Sequence, residues 1–413
     1  MLLISIVLQL ALGLFSQQPN LATGNLSNYH PLDTLVSEAP RGYKPFYISH
    51  IARHGSRFEL NGDAFAVIGD LETFDNAGEL TADGQTLIRD LRTLQAMAEG
   101  NYGKLTALGE QEHRQICGRM LRHYPEVFSN SRRRNVDTYS TESGRVMKSR
   151  DSFLEELNTA APGLNVTRTV GKDKRSRNGE EVRGFYLSQE DANALKREVR
   201  DFSKTRDEMQ GRYDFKAFAA KMFVNPDSIP QNNVADLARR SYNALKNGVV
   251  NDIQSMNLGK YFTPSELYRL WLLGDFWWAG FLNYPGYSHY MKATAGKGII
   301  KCMVEDAEEA VSKKSHTAAT LRFSHDSFLM PLMCAFPLEE TVLDCDEHEI
   351  PELFQNFRII CPACNIQLIF FRNKRNKILV KILLNERETR IHGLAPDTGC
   401  FYEWTRLKDF LKK

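Results

Sequence analysis

The chain has 413 residues, a formal net charge of +2, 25% charged residues and 42% hydrophobic ones. Near-neutrality excludes a global field directed at nucleic acid, and the composition is that of a globular protein, not a disordered or fibrous one. The length exceeds one modest core, which favours a large α/β domain carrying a second, inserted domain.

Residues 2–15 form the long apolar run near the N-terminus. Their length suits the apolar part of a signal peptide and falls short of a bilayer span. No Lys or Arg precedes the run. Ala11, Gly13 and Ser16 offer cleavage positions, and residues 1–16 are read as a signal peptide, the alternative being a buried helix of the mature fold. Residues 17–29 continue as a polar leader. No later segment reads as transmembrane, so the expectation is a periplasmic or secreted enzyme with no membrane insertion once the leader is removed.

The first core strand is expected over residues 43–53, where an apolar run at 46–51 marks a buried strand. It delivers Arg53-His54-Gly55-Ser56-Arg57. Two guanidiniums four places apart repel unless an anion sits between them, and each offers a fork that fits phosphate oxygens. The imidazole between them attacks phosphorus when neutral, and Gly55 allows close approach of a ligand to the backbone. The string points to phosphoryl chemistry on a histidine.

A helix capped by Thr81 follows, with Leu87, Ile88, Leu91 and Leu94 at helical spacing. A second helix opens in Leu105-Thr106-Ala107-Leu108-Gly109 and carries Ile116, Met120 and Leu121. The strand at 136–140 ends in Thr138-Tyr139-Ser140-Thr141 and leads into a helix bearing Arg145. After about residue 157 the character changes. A basic stretch at 172–177 precedes helical patterning over 192–202, 215–223, 234–245 and 264–282. The aromatics Trp271, Phe276, Trp277, Trp278 and Phe281 read as core packing or a domain seam. One more helix, 297–313, returns the chain to a short strand at 320–324 that delivers His325-Asp326. Asp326 is also placed to cap the helix after it. Segments 366–372 and 378–384 flank a polar turn and read as a hairpin.

These elements divide into an α/β core of residues 30–157 and 300–413 and a mainly helical insertion of residues 158–299. The seven cysteines are an odd number, so at least one is unpaired. Cys361-Pro362-Ala363-Cys364 has redox or zinc spacing, but no second such pair completes a metal set. A structural bridge or two packed thiols is the expectation.

The ordered set of Arg53-His54-Gly55-Ser56-Arg57, Leu105 to Gly109, Thr138 to Thr141 with Arg145, and His325-Asp326 resembles the histidine acid phosphatases. These form the second branch of the histidine phosphatase superfamily and include bacterial acid phosphatases, phytases and multiple inositol polyphosphate phosphatases. The resemblance covers roughly residues 43–160 and 316–404. It implies an α/β fold with a phosphoglycerate-mutase-like core sheet flanked by helices and an inserted helical domain. It also implies a phosphomonoester hydrolase in which His54 is the nucleophile, Asp326 the proton donor, and Arg53, Arg57, Arg145 and His325 hold the phosphate. Neither metal nor cofactor is implied.

Two features pull the subfamily apart. The inositol polyphosphate enzymes usually carry His-Ala-Glu where this chain has His325-Asp326, whereas its strands at 365–372 and 380–386 look like theirs. The proline often found two places after the second arginine is absent, since Phe58 and Glu59 follow Arg57. The expected partner is a small phosphomonoester, with inositol polyphosphates such as phytate the leading class. Arg132, Arg133 and Arg134, with the 172–177 stretch, offer extra cationic contacts. The alternatives are a broad-specificity acid phosphatase and, more remotely, a non-catalytic phosphate-binding protein, which would be expected to lack the nucleophile or the donor. The oligomeric state is left open.

Overall fold

A nine-stranded sheet positions the candidate site. The computed structural model describes residues 12–29, 36–171, 214–280, 282, 289–345 and 349–412. In chain order the strands are β1 (Lys44–Arg53), β2 (Asn135–Thr141), β3 (Asn165–Val166), β4 (Thr169–Gly171), β5 (Thr317–Ser324), β6 (Asn365–Arg372), β7 (Ile378–Leu384), β8 (Arg387–Glu388) and β9 (Phe401–Glu403). They lie in the order β3-β2-β5-β1-β6-β7-β8, with β4 also on β2 and β9 on β7. The expected hairpin is the antiparallel pair β6 and β7.

The three strands at the centre, β2, β5 and β1, run parallel. Arg53 is level with Ser324 and Ser140 with Phe323, so their carboxyl ends come out together. Open α/β sheets bind ligands outside such ends. β1 is buried continuously from Tyr47 to Arg53, without the alternation of a half-exposed strand. Burial on both faces is what parallel strands covered by helices require.

The helices used below are α1 (Val67–Asn76), α2 (Ala82–Ala98), α3 (Ala107–His123), α4 (Gly144–Ala160), α5 (Lys216–Met222), α6 (Gln231–Val250), α7 (Pro264–Ala279), α8 (His289–Val311) and α9 (Asp326–Ala335). Thr81 caps α2 and Thr106 caps α3, each hydroxyl accepting from the backbone N–H three residues on. Thr263 and Glu266 close a reciprocal capping box on α7.

Two apolar clusters result. One surrounds the sheet and includes Ile299, Ile300 and Met303 of α8. The other joins Leu71, Leu87, Leu91, Phe218, Leu237, Leu245 and Trp271, from α1, α2, α5, α6 and α7. The helical cluster therefore draws on the stretch after β1 as well as the later one, and a single insertion over 158–299 describes only part of it. Trp271 and Phe276 are core residues, as expected, and Trp271 Nε1 donates to Asn356 Oδ1 at 2.9 Å. Residues 12–17 are helical, and Phe15, inside the stretch read as a leader, packs its ring 5.5 Å from Trp271 and 6.3 Å from Phe357. The basic stretch 172–177, the helix expected at 192–202 and Phe281 lie outside the described residues. No helix among the described residues is long and apolar enough to cross a membrane. The seven cysteines are free thiols.

Candidate active site

All six residues singled out from the sequence converge on the carboxyl ends of β1, β2 and β5. Arg53 closes β1 and His54 follows it, with its backbone N–H donating to Ser324 O at 2.9 Å. His325 follows β5, and its ring meets that of His54 edge to face at 5.5 Å. Thr141, the last residue of β2, lies with Oγ1 3.2 Å from His325 Nε2. Asp326 opens α9, where Oδ1 accepts from Ser327 N at 2.8 Å while Oδ2 pairs with Arg53 Nη2 at 2.9 Å. The cap position itself is held by His325, without a side-chain bond. Asp326 thus serves the helix terminus with one oxygen and faces the site with the other.

The tautomer of His54 follows from one contact. Nδ1 is 2.8 Å from Gly55 O. A carbonyl only accepts, so Nδ1 carries the proton and Nε2 is left with its lone pair. Burial first, then the charges of Arg53 and Arg145, hold this imidazole well below its usual pKa. These effects favour the neutral imidazole at His54. His325 is pushed down to about 4 by burial and Arg145, against the opposing pull of Asp326.

The arginines are not equivalent. Arg53 is almost fully buried; Nη1 donates to Asn25 O and Ile360 O, each at 2.6 Å, and Nη2 meets Asp326, while Nε has no partner. Nε of Arg145 is also buried without a partner. Buried donors of this kind cost free energy unless something accepts from them. Arg57 donates through Nη1 to Phe58 O at 2.9 Å. Desolvation lowers its pKa, and Arg53, Arg145 and Asp326 all lie within its field.

The loop is held by residues that sequence reasoning did not assign. Glu112, buried on α3, accepts from Tyr29 N, Ser56 N and Ser56 Oγ at 3.2, 2.7 and 2.8 Å. Ser149 on α4 accepts from Gly55 N at 3.1 Å and donates to Arg145 O at 2.9 Å, joining the first motif to the turn that bears Arg145. Gly55 was expected to admit a ligand. What approaches it is the backbone of Gly109, and a Cβ on either glycine would collide with the other segment. That contact explains why a glycine opens α3, the one signal from which the docking could have been suspected.

Arg132, Arg133 and Arg134 are elsewhere. They precede β2, whose seven residues separate them from Thr141 by about 20 Å at the usual rise per residue. Arg133 donates to Thr317 O and Ala310 O, both at 2.8 Å, and Arg134 Nε donates to Gly163 O at 2.9 Å. The guanidiniums of Arg133 and Arg134 bind backbone carbonyls at the amino end of the central strands, away from the six site residues. Among the described residues no group of three or more His, Cys, Asp or Glu is placed to hold a metal ion.

The sequence profile of the histidine phosphatase superfamily (branch 2) matches residues 48–385, a span that contains all six site residues. The chain belongs to that family. This histidine phosphatase is accordingly a phosphomonoesterase. No curated protein matches it significantly. Among solved structures, the multiple inositol polyphosphate phosphatase of Bifidobacterium longum in complex with phosphate superposes with a TM-score of 0.73 at 17% identity, over 94% of this chain and 97% of that one. The phytase of D. castellii gives 0.70 at 14% identity, over 95% and 84%. The Hafnia alvei phytase in complex with myo-inositol hexakis sulphate gives 0.51 at 12%, over 90% and 97%. The α/β fold with its core sheet and added helices is thus that of histidine phosphatases.

Proposed function

We propose that the enzyme hydrolyses phosphomonoesters through a phosphohistidine on His54, without a metal ion, and that inositol polyphosphates such as phytate are its main substrates. The observation that carries the mechanism is the contact of His54 Nδ1 with Gly55 O, which leaves Nε2 its lone pair, in the field of Arg53 and Arg145, each with a buried Nε that lacks a partner. A phosphate supplies the missing acceptors, so Arg53, Arg145, Arg57 and His325 neutralise and orient the transferring group. His54 Nε2 attacks phosphorus, the P–O ester bond breaks, and Asp326 gives its proton to the departing alkoxide. The Asp326 carboxylate then takes a proton from water, whose oxygen attacks phosphorus, breaks the P–N bond and releases phosphate. Fixed guanidiniums supply the positive charge that a bound cation brings to other phosphotransfer sites.

The substrate class is supported by the likeness to proteins crystallised with phosphate and with inositol hexasulfate. A broad-specificity acid phosphatase is the second reading, and the structural use of Arg133 and Arg134 favours it, since it removes expected contacts for further phosphates. Export to the periplasm or medium belongs to the same proposal and is supported by the apolar run at residues 2–15. Cleavage at Ala11 or Gly13 leaves Phe15 against Trp271, whereas cleavage after Ser16 removes it.

His54→Ala is expected to abolish turnover of every phosphomonoester, because no other group forms the covalent intermediate. Rapid quenching of the unsubstituted enzyme should trap a phosphoramidate that survives base and is lost in acid. Full activity in the variant would overturn the mechanism.

A further inference from the structure

Lys246 of α6 stands out as a half-buried cation that no hydrogen bond or ion pair holds among the described residues. Its ammonium lies 4.2 Å from the centroid of the Tyr242 ring, one turn earlier on the same helix. The neighbours of Lys246 locate it. Tyr242 Oη donates to Ala22 O at 2.6 Å, in the turn Pro19–Leu26 whose Asn25 O receives Arg53 Nη1. Asn247 Oδ1 accepts from Glu59 N at 3.2 Å, two residues after Arg57. The residues flanking Lys246 therefore reach the segment that holds Arg53 and the segment that follows Arg57.

Glu59 is the carboxylate whose field reaches Lys246, and the same carboxylate acts on Arg57. Glu59 is thus shared between Lys246 and Arg57, and it forms no ion pair with the ammonium. Burial pushes the ammonium down to about 8, a cost that an arriving anion would offset.

We propose that Lys246 binds a second phosphate of the substrate, one that is not being cleaved, and so makes the enzyme prefer polyphosphorylated over singly phosphorylated monoesters. This rests on the phosphohydrolase reading above. Lys246 is a specificity residue and touches no reacting atom. The stem over Tyr242 fixes where the ammonium points, and Glu59, which also acts on Arg57, makes no ion pair with it.

The test compares Lys246→Met, which keeps the stem and removes the charge, with Lys246→Arg, which keeps the charge. Inhibition of 4-nitrophenyl phosphate hydrolysis is measured with inositol hexasulfate and with inorganic phosphate. In the Met variant the inhibition constant for hexasulfate should rise about tenfold or more, the size of one lost charge-assisted contact. That for inorganic phosphate and the turnover number should stay within about twofold, and the Arg variant should recover most of the loss. An unchanged hexasulfate constant, or equal changes for both anions, would overturn the proposal. Failure of the unsubstituted enzyme to cleave the aryl phosphate would instead sink the phosphohydrolase reading. Calorimetric binding of inositol hexasulfate to the same proteins would then still decide the role of Lys246: equal affinity, or no binding at all, overturns it.

Discussion

Asp326 carries two jobs on two oxygens, and that separation makes its chemistry testable. Oδ1 holds Ser327 N at the start of α9 and Oδ2 faces Arg53. Asp326→Asn keeps an acceptor for the helix but delivers no proton. An ester with a poor alkoxide leaving group, such as an inositol phosphate, should slow by roughly 10²- to 10⁴-fold. An aryl phosphate, whose leaving group departs with little protonation, should suffer far less. Measuring both rates in both proteins decides the matter, and an unchanged ratio would move the proton donor elsewhere. His54 and His325 were readable from their neighbours in sequence. Glu112, Ser149 and Lys246 were not, because a Glu, Ser or Lys on a helix gains meaning only from what the fold sets against it.

The docking of α3 on the loop 53–57 is the contact between elements that shapes the site. Thr106 caps α3, donates its N–H to Ser56 O at 2.9 Å and sends its hydroxyl to Val250 O on α6 at 2.9 Å. One threonine thus ties the phosphate loop, α3 and the helical cluster together. The fit tolerates no Cβ at Gly109, where Ser56 lies against the backbone. Gly109→Ala should cost about 1 to 3 kcal/mol of stability through overpacking and should lower kcat/KM for 4-nitrophenyl phosphate about tenfold or more by displacing Ser56 and His54. Denaturant unfolding and steady-state kinetics on the variant check both, and wild-type values in each would show that the contact yields freely. Helical spacing of apolar residues made α3 legible as an element. Which loop the helix end would meet depends on the β1–β5–β2 order, and no spacing encodes that.

Acid should unfold the protein through its buried imidazoles. His50 of β1 and His113 of α3 are pushed down to about 3, chiefly by burial, and neither ring nitrogen of His50 has a hydrogen-bond partner. His325 sits near 4 and His54 is also depressed. Each stays neutral in the fold but titrates near 6.5 in the unfolded chain. Between pH 6.5 and about 3 the unfolded state binds more protons, so stability falls as pH falls through that window. Glu112 works in the opposite sense, since burial raises its carboxyl. The melting temperature should therefore drop between pH 6.5 and 4, and His113→Leu should make the drop shallower by removing one proton-binding site from the unfolded chain. Thermal unfolding of both proteins across that range tests this; parallel curves would mean that His113 carries no part of the acid sensitivity.

The string Arg53-His54-Gly55-Ser56-Arg57, the His325-Asp326 pair, the strands β1, β2 and β5 and the hairpin of β6 and β7 were determined by the sequence alone. They are local: a burial period, a cap or a run of charges within a few residues encodes each. The tertiary structure alone decided that Arg133 and Arg134 spend their guanidiniums on backbone carbonyls at the far end of the sheet, although as part of a run of charges they resemble a ligand site. It also decided that Gly55 meets Gly109, that α1 and α2 join the later helices, and that Tyr242, beneath Lys246, reaches Ala22. Each of these pairs residues far apart in the chain. Their meeting depends on which strands lie side by side and in which direction, a property of the packed sheet as a whole.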